Sequence, residues 1–287
     1  MHAYLLIATG DRDSFHLMTS WLIMGLLGSP GERHIRVVTD HPERYHWLAE
    51  HIEIRVVTQQ ELSSWFGLNG YYFRSKLISL IEAMQSKPEA HWSFLDSDIA
   101  VRGDLVTYES RLADGQAYMH LRENYIGQRR DRGEYVDKLV GKDWAGLRVE
   151  AKSPMWNSGV IGIPTTIGVA AVKQALAALD AAHGAGVETH AIEQLFMCQA
   201  MIAAHPNLLP ADQWFAHYWG NKPAWTAAIG ERLAGWWQRG TPFAEALTQV
   251  QADPIHLPTQ VRDRRILKYI PPFLMGKGVN VSYTKSW

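Results

Sequence analysis

The sequence predicts an α/β protein with a Rossmann-like, mostly parallel central sheet flanked by helices. Three observations predict it. Short apolar runs at residues 3–8, 35–39, 54–57 and 91–95 alternate with longer stretches whose apolar residues recur at helical spacing. The first run is apolar on consecutive positions, as in a buried strand. The fourth run ends in FLDSDIAV (94–101), which sets Asp96 and Asp98 beyond the carboxyl end of a strand. That is where open α/β sheets bind ligands.

Taken in order, residues 3–8 (AYLLIA) form a first buried strand, and Phe15 to Leu27 carry a helical pattern closed by Gly28-Ser29-Pro30. Ile35 to Thr39 is a second strand, Pro42 to His51 reads as helical, and Ile54 to Val57 is a third strand. A helix from Tyr72 to Gln85 places Phe73, Leu77, Leu80, Ile81 and Met84 on one face. His91 to Leu95 is the strand that delivers the aspartates. Residues 106–152 mix charges and glycines, including QRRDRGE at 128–134, and read as an irregular excursion. NSGVIGIP (157–164) is a strand entered through a polar turn, and residues 166–182 and 190–204 are helices. From Val261 the chain turns basic and aromatic: Arg262, Arg264, Arg265, Lys268, Lys277 and Lys285 face a single acid, Asp263, with Tyr269, Phe273, Tyr283 and Trp287 interleaved.

Composition narrows the class. At 287 residues the chain suffices for one large α/β domain or two small ones. Apolar residues make up 47% and charged residues 20%, which is globular composition. A formal net charge of −1 supplies no basic field for nucleic acid. Cys198 is the single cysteine, so an intramolecular disulfide and a cysteine zinc cluster are excluded; its FMCQAM setting reads as a helix core. The N-terminus lacks a basic leader and a cleavage site, and no stretch reaches the roughly 18–20 apolar residues of a membrane span. A cytoplasmic, soluble protein is expected. Among twelve tryptophans, Trp214, Trp219, Trp225, Trp236 and Trp237 cluster late in the chain, where core packing is the default over a platform for sugar rings.

The aspartate pair carries the chemistry. In an extended strand alternate side chains share a face, so Asp96 and Asp98 would project together. Two carboxylates on one face repel, and a divalent cation offsets that repulsion; hard oxygen ligands suit Mg²⁺ or Mn²⁺. A strand ending in a solvated polar turn is the plain alternative.

Five short segments, in order, resemble the GT-A glycosyltransferases, nearest the retaining family 8 group of bacterial galactosyl- and glucosyltransferases. YFRSKL (72–77) resembles a Tyr-x-Arg-x-Lys-Leu helix, and FLDSD carries an Asp-x-Asp signature. WNSGV (156–160) resembles an Asn-Ala-Gly-Val strand, Glu193-Gln194 an Asp-Gln pair, and HYWGNKP (217–223) a His-x-x-Gly-x-x-Lys-Pro segment, here one residue shorter between glycine and lysine. The resemblance implies a single domain over 1–260, with a nucleotide-binding half (1–105) and a sugar and acceptor half (106–225), followed by the basic-aromatic segment 261–287.

It also implies roles. Asp98 and His217 would be metal ligands, with Asp96 a further ligand or a ribose contact; a histidine in the set tilts the choice to Mn²⁺ over Mg²⁺. Lys222, with Gly220 beside it, would lie near the donor diphosphate. Of Arg74 and Lys76, two apart on a helix and so on different faces, the resemblance favours Arg74 at the donor. Ser97 falls within the donor site, and Thr9, Asp11 and Asp40, after the first two strands, would meet base and ribose. Asn157, Ser158 and Gly159 would line the sugar pocket. Gln194 would stabilise the oxocarbenium-like sugar while Glu193 holds its hydroxyls.

The implied reaction moves a hexose from a nucleotide-sugar, UDP-linked by expectation, to a glycan, lipid-linked or small-molecule acceptor. Retention by front-face attack is implied, with double displacement as the variant; an inverting reaction would need a carboxylate base such as Glu188 or Glu193. The basic-aromatic C-terminus suits a peripheral contact with the cytoplasmic membrane face, or docking back on the domain. Two rivals stand beside this reading. One is a nucleotidyltransferase using the same aspartates, disfavoured by the lack of a Gly-rich phosphate loop; the other is a degenerate module that binds without turnover.

Overall fold

The computed structural model describes residues 1–67, 69–128 and 132–260. The segment 261–287, and with it the expected membrane contact, lies outside the described residues, as do residues 129–131 of the QRRDRGE run.

The first half alternates strand and helix as expected: β1 (His2–Ile7), α1 (Asp13–Gly28), β2 (His34–Thr39), β3 (Glu53–Val56), α2 (Gln59–Phe66), α3 (Arg74–Ser86) and β4 (His91–Leu95). The expected helix at 42–51 is a tighter 3₁₀ run, Pro42–Leu48, and α2 fills a stretch with no predicted element. A full capping box starts α2: Thr58 accepts from the Glu61 N–H, and Glu61 accepts from the Thr58 N–H.

The irregular excursion is more ordered than its charge and glycine content predicts. It holds β5 (Ile99–Val101) at its border, then α4 (Leu105–Ala113), β6 (Tyr118–Met119), β7 (Arg122–Tyr125), α5 (Arg132–Leu139), β8 (Asp143–Trp144) and β9 (Leu147–Arg148). Its strands are two to four residues long, too short to show a period in sequence. The chain continues through β10 (Pro154–Trp156), β11 (Val160–Ile163), α6 (Gly168–Gly184), α7 (Ile192–Ala204), β12 (Leu209–Pro210), β13 (Phe215–His217), α8 (Lys222–Arg239) and α9 (Phe243–Ala252).

Seven strands form the main sheet in the order β12-β6-β11-β4-β1-β2-β3. β1 pairs in parallel with β2 and β4, and β2 with β3, while β11 runs antiparallel between β4 and β6. Alternation along β1 sends Ala3 and Leu5 into one core and Tyr4 and Leu6 into the other. Helices α3, α6 and α7 cover the first face; α1 and α4 cover the second. Helices α8 and α9 pack on the outer side of α1 through Trp21, Trp225 and Trp236, so the late tryptophans are mainly core, with Trp219 and Trp237 exposed.

Candidate active site

β4 brings Asp96 to the sheet edge. Trp92 and Phe94 face the α3 side, and alternation sends Asp96 the same way. The expected single strand face for both aspartates does not form. β4 ends at Leu95, and a turn closed by the Ile99 N–H on the Asp96 carbonyl (3.2 Å) separates the pair. Asp96 turns toward α3, and Asp98 turns toward β13 and α8. They converge again through other elements.

β5 and β13 make an antiparallel ribbon in which His217 lies opposite Ile99, and the Tyr218 N–H binds the Asp98 carbonyl at 3.0 Å. This register carries His217 from far along the chain to within 3.3 Å of Asp98 Oδ1. β11 pairs with β4, and the Asp96 N–H donates to the Gly159 carbonyl at 2.9 Å, so the turn before β11 lies against the aspartates. Ligand atoms of Asp96, Asp98 and His217 all fall within 4.8 Å of one another.

Asn157 sets the histidine. Its Nδ2 donates to Glu123 Oε1 (3.2 Å), and its Oδ1 accepts from the Gly159 N–H (2.9 Å). Oδ1 can therefore only accept from His217 Nδ1, at 3.0 Å, which leaves Nε2 aimed at Asp98. An Nε2 lone pair facing a carboxylate oxygen requires either a second ring proton or a cation between them. Two carboxylates, an imidazole nitrogen and an amide holding the other ring nitrogen make a donor set that fits a small divalent ion. Gly159 makes room for this: a Cβ there would stand 2.5 Å from His217 Cε1. The close approach at Gly159 is that of the imidazole.

Two ammonium groups flank the carboxylates. Lys76 is buried, 3.1 Å from Asp96 and 3.6 Å from Glu193, and donates to Ser158 Oγ at 3.2 Å. Burial would favour loss of its proton, but Asp96 and Glu193 outweigh that and raise its pKa. Lys222 reaches Asp98 Oδ2 at 2.8 Å despite the shortened spacing before it. Burial would raise the Asp98 pKa, yet His217 and Lys222 prevail and hold it well below the ordinary carboxylate range.

Arg74, expected at the donor, is instead bound through two nitrogens to Asp180 (2.6 and 2.9 Å) and to the Ser64 and Trp65 carbonyls. The two side chains do part, as their spacing requires, but Lys76 is the one that enters the site. Gly220 also serves packing: it bridges Gln260, whose Cγ would lie 3.0 Å from an added Cβ.

Glu193 and Gln194 open α7 and are buried. Gln194 Oε1 accepts from the Ser158 N–H (3.3 Å), and Glu193 Oε2 accepts from Ser158 Oγ (3.4 Å). Burial raises the Glu193 pKa against the opposing Lys76 charge, and among the described residues Glu193 Oε1 makes no hydrogen bond. After β1 and β2, Thr9 Oγ1 lies 3.4 Å from Tyr72 OH, and Asp40 accepts from the Gly10 N–H and from Gln59. Asp11 is exposed beside His41, and the Ser97 carbonyl accepts from Tyr218 OH.

Three neighbours were not foreseen. Glu123 anchors both Asn157 and Gln194; His120, on the Phe215 carbonyl, stands edge-on to His217 with ring centres 5.1 Å apart; Tyr72 meets Thr9. Only Tyr72 carried a signal, as the first residue of YFRSKL.

The α/β class with a mostly parallel sheet is the class observed. Among solved structures, the chain is similar to mouse xyloside xylosyltransferase 1 in its apo form, with 15% identity and a TM-score of 0.45 over 72% of this chain and 83% of that one. It is similar to the galactosyltransferase LgtC in complex with donor and acceptor sugar analogs, with 13% identity and a TM-score of 0.44 over 81% of this chain and 95% of that one. An active-site mutant of LgtC gives 13% and 0.46 over 73% and 72%. No protein-family model matches the chain, and no curated protein matches it significantly.

Proposed function

We propose that this chain is a metal-dependent glycosyltransferase that moves a hexose from a UDP-sugar to a glycan, lipid-linked or small-molecule acceptor, with retention of configuration. The observation that carries the reading is the convergence of Asp96, Asp98 and His217 beyond the sheet's carboxyl edge, within 4.8 Å of one another. Residues 1–105 bind the nucleotide, and residues 106–225 supply the sugar and acceptor side.

A divalent cation, Mn²⁺ by the presence of an imidazole ligand, would neutralise charge developing on the leaving diphosphate. Asp96, Asp98 and His217 would hold it, with Asn157 fixing the ring. Lys222, on Asp98 in this structure, would serve the same diphosphate as a point charge. Thr9, Asp11 and Asp40, with Tyr72, lie at the strand ends that receive base and ribose. Lys76 fixes Asp96, Ser158 and Glu193 as one unit. Glu193 Oε1, 3.6 Å from Lys76 and outside any hydrogen bond among the described residues, would accept from a sugar hydroxyl, and Gln194 would stabilise the developing charge at the anomeric carbon. Front-face attack lets the departing phosphate take the acceptor proton, so no separate base is required.

Incubating the protein with UDP-sugars and Mn²⁺ should release UDP, and chelation or Asp98→Ala should lower the rate by about a hundredfold or more. Release of monophosphate or pyrophosphate would point to nucleotidyl transfer. Tight donor binding without turnover on any acceptor or on water would point to a binding module. Product NMR reads the anomeric configuration directly.

A further inference from the structure

The two ammonium groups on the aspartates are held in different ways. Lys76 is sealed: its side chain is 5% exposed and tied to Asp96, Ser158 and Glu193. Lys222 is 41% exposed and opens α8, and its ammonium lies 6.0 Å from the Phe15 ring. Among the described residues its one charged partner is Asp98 Oδ2, at 2.8 Å, while the other oxygen of that carboxylate faces His217. Lys222 is therefore the group free to swing on a flexible stem.

We propose that Lys222 is a tethered cation that competes with the divalent metal for Asp98 and gives it up when a diphosphate arrives. This rests on the metal-site reading above. An ammonium and a divalent ion sharing one carboxylate repel each other across a few ångströms. Metal entry therefore requires Lys222 to leave Asp98. In the free protein it leaves for water, and the ion binds more weakly than its three ligands alone would allow. A diphosphate offers oxygens to the displaced ammonium, so leaving costs less. Metal and diphosphate then bind cooperatively, and by linkage each raises the affinity of the other by the same factor. Lys222 is the element through which that part of the coupling passes.

The test is Mn²⁺ binding by the full chain, followed by electron paramagnetic resonance, first without nucleotide and then with UDP. Lys222→Met keeps the stem and removes the charge. It should bind Mn²⁺ about tenfold or more tightly than the wild type in the absence of UDP. Lys222→Arg should stay within about threefold of the wild type, because charge is kept. UDP should strengthen Mn²⁺ binding by a larger factor in the wild type than in Lys222→Met. Unchanged or weaker Mn²⁺ binding by a folded Lys222→Met overturns the proposal, as does an equal UDP effect in both proteins. If the wild type, Lys222→Met and Asp98→Ala all ignore Mn²⁺, the metal-site reading itself fails and takes the proposal with it.

Discussion

At the residue scale the site depends on a missing side chain. His217 can rest on Asn157 because residue 159 is glycine; an alanine Cβ would stand 2.5 Å from Cε1 and 2.7 Å from Nδ1 of the ring. Neither atom belongs to a flexible tail, so the imidazole must shift or the turn must open, at a cost of about 1–3 kcal/mol. Gly159→Ala should weaken Mn²⁺ binding by about tenfold or more while the far-UV spectrum stays native. Wild-type Mn²⁺ affinity in Gly159→Ala would show that His217 does not ligate from this position. The polar turn and its glycine were legible in NSGV. What approaches that glycine was not, because β13 arrives through a pairing that local sequence does not encode.

At the scale of elements, α3 divides its two cations between two tasks. Arg74 ties the start of α3 to Asp180 on α6 and to the last turn of α2. Asp180 is about half exposed, so solvent screens the pair. A double-mutant cycle on Arg74 and Asp180 should give a coupling of about 0.5–1 kcal/mol. Arg74→Ala should lower stability and leave donor affinity unchanged, whereas Lys76→Met should weaken donor binding. Loss of donor affinity in Arg74→Ala at unchanged stability would return Arg74 to the donor site. The sequence marked this helix and showed that its two cations must part, but which one turns inward depends on packing against α6 and α7. Strands of five or six residues were readable to within a residue or two at each end. The two-residue strands of the middle region were not, since they exist only through their pairing.

At the scale of the whole molecule, burial of histidines sets how the fold meets acid. His2 is pushed down to about 4 and His120 to about 3, and His16, His34, His91 and His183 are also lowered, with burial the leading cause in each. Above the unfolded value of about 6.5 these rings are neutral in both states, and their contribution to stability is fully present. As pH falls below it, the unfolded chain takes up protons that the folded chain refuses. Stability therefore drops through the interval from about 6.5 to the folded values near 4 and 3, where the loss levels off. For His120, which is 9% exposed, the slope approaches about 1.4 kcal/mol per pH unit as an upper bound. Carboxylates with ordinary pKa values protonate mostly below about pH 5, so a loss already under way between about pH 6.5 and 5 marks the histidines. Urea midpoints measured across that interval should fall steadily in the wild type and more gently in His120→Gln and in His2→Gln, whatever each substitution costs at pH 8. Parallel curves for the three proteins would show that these rings are protonated alike in both states, and that the acid limb has another origin.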